Sequence, residues 1–179
     1  SQFRDPAVAQ EVQASFHQAV ALCRMGGDFQ AQRRAYWLAL MMSQMWSIQK
    51  EYLRQRAVLE TASEVLSDPN HRYVVRTELA KAARSLGELD AAEAWLAQCD
   101  PEPAILDLDS AYRVTKATVA LVKGDGATAL ALMGQVANQI PFDPSRRLLS
   151  CVIRAAALEM TGQGPAAEAE LQTAAREHG

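Results

Sequence analysis

Leu79-Ala80-Lys81-Ala82-Ala83-Arg84-Ser85-Leu86-Gly87-Glu88-Leu89-Asp90-Ala91-Ala92-Glu93-Ala94-Trp95-Leu96 reads as a helix, a glycine turn and a second helix. Alanine dominates both arms, and it is the strongest helix former because it loses no side-chain entropy. Gly87 stands where the chain must enter the left-handed region to reverse, a conformation that costs glycine nothing. Two short helices with small residues on their facing sides pack closely as an antiparallel hairpin.

The same arrangement recurs downstream at Gly124 and Gly162, at intervals of 37 and 38 residues. Seven residues before each glycine stand Ala80, Ala117 and Ala155, and five after stand Ala92, Ala129 and Ala167. Nine after come Leu96, Met133 and Leu171, and twelve after come Cys99, Val136 and Ala174. A small residue on each arm, followed one turn later by a larger apolar one, is a repeating contact. A period in this range marks a stack of helical hairpins. Fainter traces, Ala19, Gly26, Ala31 and Ala35, extend the pattern to the N-terminal region.

Composition agrees. Apolar residues make up 49% and charged residues 22% of the 179, ordinary globular proportions that argue against disorder, and alanine occurs 33 times. No stretch alternates as a half-buried strand does. The expected fold class is therefore all-α, with 1–179 as one repeat domain: N-terminal helices over 1–70, then three hairpins over 71–179. Between Asp28 and Ser67 there is neither Gly nor Pro, which predicts a long helix over about 28–67, or a hairpin broken near Ser43. Leu38, Met41, Met45, Ile48, Tyr52, Gln55, Leu59, Ala62 and Leu66 step by threes and fours, a heptad seam with Gln55 as its polar intruder.

These positions resemble the tetratricopeptide repeat, with Leu86–Glu93 the best local match and Pro103 and Pro141 near the place of that family's closing proline. The resemblance implies a short right-handed solenoid that binds other proteins along a groove lined by the first helix of each hairpin. The chain departs from the family at eleven and eight residues before the glycines, where Arg76, Arg113, Lys116 and Arg154 stand in slots usually apolar. Carried over by offset, the groove of the second and third hairpins is mostly apolar. It offers Val114, Thr118, Leu121, Val122, Ile153 and Met160 as partner-binding anchors, with Arg113, Lys116 and Arg154 setting orientation. An apolar groove of several hundred Å² is not left open to water. Its cover is the N-terminal helix, a partner, or a second copy of the chain.

A second candidate surface is the aromatic and methionine cluster on the long helix. Trp37, Met41, Met45, Trp46, Ile48, Tyr52 and Leu59 form either the junction core or a dimerisation seam. Chemistry is not indicated. His17, His71 and His178 have no partner at metal-ligand spacing, and Gly124-Asp125-Gly126 lies between helices rather than after a strand. Asp107 and Asp109 suit the capping of a helix start. No catalytic, cofactor or metal site is expected. The net charge of −3 lacks the basic excess that phosphate neutralisation needs, so nucleic acid is not an expected direct partner. No apolar run reaches the roughly 20 residues of a membrane span. Cys23, Cys99 and Cys151, widely spaced and odd in number, read as small buried hydrophobes in a reducing compartment, and a cytoplasmic location is expected. The functional expectation is a non-catalytic interaction scaffold. The alternative is a dimerising or sensory segment of a larger bacterial regulator.

Overall fold

Five times among the described residues the chain reverses through one backbone device. The residue after the turn donates its N–H to the carbonyl five positions back: Gly27 to Leu22, Glu51 to Trp46, Asp125 to Ala120 and Gln163 to Leu158 at 2.8 Å, and Glu88 to Ala83 at 2.9 Å. A second bond closes the inner loop each time, as from Gly87 to Arg84 at 3.0 Å. Together these satisfy carbonyls that a helix end leaves open. The residue at the centre has φ of +84° at Gly26, +80° at Gly87, +88° at Gly124 and +77° at Gly162. At the fifth turn it is Lys50, with φ +60°.

The computed structural model describes residues 6–99, 106–136 and 144–178. Among them it is all-α: α1 (Pro6–Arg24), α2 (Phe29–Ile48), α3 (Tyr52–Val65), α4 (Pro69–Ser85), α5 (Leu89–Ala97), α6 (Leu106–Val122), α7 (Gly126–Val136), α8 (Pro144–Met160) and α9 (Gly164–His178). Packing divides the chain into two compact units, Ser1–Asp100 and Pro101–Gly179. The first therefore takes in the hairpin α4–α5 along with the N-terminal helices. Pro103, Pro141 and the side chain of Asp107 lie outside what is described.

In the first unit each helix packs against the next. Ser67, past the end of α3, donates to Gln32 near the start of α2, so α2 and α3 are antiparallel. The single helix expected over 28–67 is thus two, and the break lies at Gln49–Glu51 rather than near Ser43. Ser43 sits buried inside α2. Sequence inspection misses this turn because lysine occupies the left-handed position. The seam from Leu38 to Leu66 is split with it: Leu38, Met41, Met45 and Ile48 are on α2, the rest on α3 or its cap. Asp28 and Asp68 accept N–H bonds from Ala31 and His71, and Pro69 fills the first turn of α4.

The core of this unit joins Phe16 and Val20 of α1, Tyr36, Ala39 and Met42 of α2, Leu59 and Ala62 of α3, and Val75 and Leu79 of α4. Helix α2 is apolar on most sides because α1, α3 and α4 all pack on it.

In the second unit, Ala117 and Ala120 of α6, Ala129, Met133 and Val136 of α7, and Ile153 and Ala157 of α8 share one core. Ala155, Leu158 and Ala167 form another between α8 and α9. A Cβ added at Gly126 would lie 2.9 Å from the Met160 Cβ and 3.1 Å from the Ala157 carbonyl, so α7 starts hard against the end of α8. Asp125 caps α7 by accepting from Thr128 N–H, and hydrogen bonding from the Thr128 side chain first and its N–H second lowers the Asp125 carboxyl from its ordinary value.

Lys50→Gly is expected to stabilise the first unit. A left-handed non-glycine residue costs about 1–2 kcal/mol, and glycine's extra unfolded entropy offsets about 0.5–1 of this. The net gain of roughly 0.5–1 kcal/mol should raise the melting temperature by about 2–8 °C. A lower melting temperature in a scanning calorimeter contradicts the account.

Candidate functional site

The repeated frame locates the one hairpin built differently. In the four glycine-centred hairpins, the positions seven before and five after the turn centre are alanine pairs: Ala19 and Ala31, Ala80 and Ala92, Ala117 and Ala129, Ala155 and Ala167. All eight are buried. Counted from Lys50, the same two positions are Ser43 and Gln55. They too are buried, and Gln55 Nε2 donates to Ser43 Oγ at 3.0 Å. The hairpin α2–α3 thus follows the same plan with a polar pair at its closest contact.

The pair is not self-sufficient. Gln55 is only 3% exposed, and its Oε1 is buried with no hydrogen-bond partner. Leaving such an acceptor unpaired costs about 1–3 kcal/mol. Gln55 and Ser43 line a cavity of about 460 Å³ between α2 and α4, floored by α3. Its other walls are Leu40, Gln44, Ser47 and Ile48 of α2 and Val74, Glu78 and Lys81 of α4. Lys81 Nζ donates to Glu78 Oε1 at 2.6 Å. A second groove of about 410 Å³ lies between α1 and α3, with Phe16, His17, Met42, Trp46 and Arg54 among its walls. There the Arg54 guanidinium sits 5.1 Å from the Trp46 ring centre.

The expected seam residues separate. Met45 and Leu59 are core, at 4% and 0% exposure, while Trp46 and Tyr52 are half-buried. Trp37, Met41 and Ile48 face out. No single stripe unites them, because the turn at Lys50 sends α3 back along α2. The Trp37 ring instead stands edge-on to Tyr36, and Tyr36 stacks on His71 at 4.1 Å.

In the second unit the expected groove residues sort by helix face. Val122 and Met160 are exposed, and Val114, Thr118 and Leu121 are half-buried. Ile153 is a correction: it is 4% exposed and belongs to the core shared by α6, α7 and α8, so it cannot anchor a partner. Its neighbours Leu149 and Val152 are exposed instead.

The arginines expected to set a partner's orientation are engaged within the chain. Arg113 bonds Asp109 at 2.7 Å and also Gln135, and Arg154 pairs with Glu170 at 3.5 Å. Arg76 likewise donates to the Gln98 carbonyl. Arg76 and Arg113 stand eleven residues before their glycines, Gln98 and Gln135 eleven after. Each arginine clasps the far end of its own hairpin. Lys116 is exposed beside Tyr112. Asp109 serves Arg113 rather than a helix start.

Cys99 is buried against Thr77 and the Tyr73 and Trp95 carbonyls, and burial pushes its thiol up. Cys23 and Cys151 are half-buried, and no disulfide joins any of the three. No described helix is long and apolar enough to cross a membrane. Among the described residues no three His, Cys, Asp or Glu side chains gather as metal ligands.

Ser43, Gln55, Glu78 and Lys81 were not singled out together from the sequence as a site. The signal that finds them is the repeat frame itself, once Lys50 is admitted as a turn centre. Comparison with family models, with characterised proteins and with solved structures gives no match to this chain.

Proposed function

We propose that the chain is a non-catalytic protein-binding module of tetratricopeptide type, and that α6 and α8 of the second unit present its docking face. One observation carries this reading. Val122 is 59% exposed, Leu149 48%, Val152 46% and Met160 48%, on two neighbouring helices with Val114 and Leu121 half-buried beside them. Isolated exposed apolar residues are ordinary, but several of them on two helices that pack together point to a surface used for contact. Two neighbouring helices leave a shallow groove between them, and the partner such a groove fits is an amphipathic helix, whose apolar residues recur every three or four positions. The exposed charges on these two helices, Lys116, Arg147 and Glu159, are of both signs, so apolar fit rather than charge selects the partner.

The test is a photo-crosslinking amino acid at Val152 in the full chain. A crosslinked partner whose affinity falls at least about tenfold on Met160→Asp or Val122→Asp, with helicity intact, supports the proposal. Crosslinking only to a second copy, with a dimer in sedimentation, replaces it by self-association. Unchanged capture by the Met160→Asp/Val122→Asp double variant removes this face from the account.

A further inference from the structure

The structure assigns a second, independent site in the first unit: the cavity between α2 and α4 binds a small zwitterion with an aliphatic body, of the α-amino-acid class. Three observations converge on it. The frame position that is alanine in every glycine-turned hairpin is Gln55 here, so a polar group occupies a place where the fold itself is built with a methyl. A carboxamide offers donors at one end and an acceptor at the other, and Ser43 Oγ meets only one end. The remaining end is buried without a partner, and the residue lines a cavity of about 460 Å³. That volume lies within the range of small-molecule sites, which are mostly apolar with a few placed polar groups.

The walls state what fits. Glu78 and Lys81 give one charge of each sign, so a ligand carrying a lone net charge would face a repelling group as well as an attracting one. The two side chains already pair at 2.6 Å, but a carboxylate accepts several bonds and an ammonium donates three, so a zwitterion bridges the pair with its ammonium at Glu78 and its carboxylate at Lys81. It also completes Gln55 in either orientation of the carboxamide. Its ammonium donates to Oε1, or, with the group turned over, its carboxylate accepts from Nε2. Val74 and Ile48 then cover an aliphatic side chain. Ile48 is 75% exposed, so a bound side chain would remove apolar surface that otherwise faces water.

The experiment is a thermal-shift and calorimetric titration of the full chain with aliphatic L-amino acids, L-leucine first. Two half-ligands serve as arms, 3-methylbutylamine without the carboxylate and 4-methylpentanoate without the ammonium. Saturable binding of an aliphatic amino acid, with each half-ligand at least about tenfold weaker, is expected. Gln55→Leu removes the unpaired amide oxygen together with the bond to Ser43 Oγ, so its stability should stay close to the parent's, and it should lose that binding by about tenfold or more. Val74→Trp, which fills the cavity from α4, should lose it too and serves if Gln55→Leu fails to fold. Absence of binding across the aliphatic amino acids overturns the proposal and leaves the cavity to water. Equal binding of the amine alone, or binding retained in both variants, overturns it as well. The docking face on α6 and α8 is untouched by any of these outcomes.

Discussion

Ile153→Asp unfolds the second unit, whereas Val152→Asp, one residue away, leaves it folded. Ile153 is 4% exposed among Ala117, Met133 and Ala157; Val152 is 46% exposed. Removing the isoleucine from a packed site costs about 2–5 kcal/mol. Burying a carboxyl with no partner adds roughly 1–3 more. A unit of this size is held by about 4–12 kcal/mol, at roughly 0.05–0.15 per residue, so the first variant consumes most or all of its stability. The second exchanges one exposed residue for another and should stay within about 0.5–1 kcal/mol. Hydrogen exchange reads the difference directly: protection is lost across α6–α9 in Ile153→Asp and kept in Val152→Asp. Equal protection in both would place Ile153 on the surface and restore it as a partner anchor.

Ala92→Leu destabilises the first unit by about 2–3 kcal/mol, toward the upper end of the cost of overpacking. Ala92 and its frame partner Ala80 are both 0% exposed, on the two packed arms α4 and α5. Three extra carbons there force the hairpin apart, and the strain reaches the Arg76–Gln98 clasp at its open end. At about 4–8 °C per kcal/mol for a unit of this length, the melting temperature falls by roughly 8–24 °C. The same change at Ala94, which is exposed on the other side of α5, should move it by less than about 4 °C. Equal effects at the two positions would mean that the alanine frame is not the packing contact.

Ala80, Ala92, Ala117, Ala129, Ala155 and Ala167 could be read in one dimension because their periodicity is local: each hairpin carries its own turn and its own small residues. Position nine after the turn shows where that reading weakens. Leu96 and Met133 are buried, but Leu171 is 48% exposed. Burial at that offset depends on what packs outside the hairpin, and spacing does not record it. The arginines mislead for a related reason. A cation in an apolar slot looks like a binding ridge until its partner, Gln98, Gln135 or Glu170, is seen to lie across the hairpin.

The all-α class, the glycine turns and the alanine contacts follow from the sequence alone, since they rest on backbone preference and side-chain size. The turn at Lys50 does not. A lysine is held left-handed there only because α3 gains more by packing back on α2 than that one residue loses. Tertiary structure alone also decides which side of α8 faces water, and so separates Val152 from Ile153. It alone brings Glu78 and Lys81 of α4 to the cavity lined by Gln55, whose Oε1 is left unpaired, because α2, α3 and α4 meet there by packing and not by proximity in the chain.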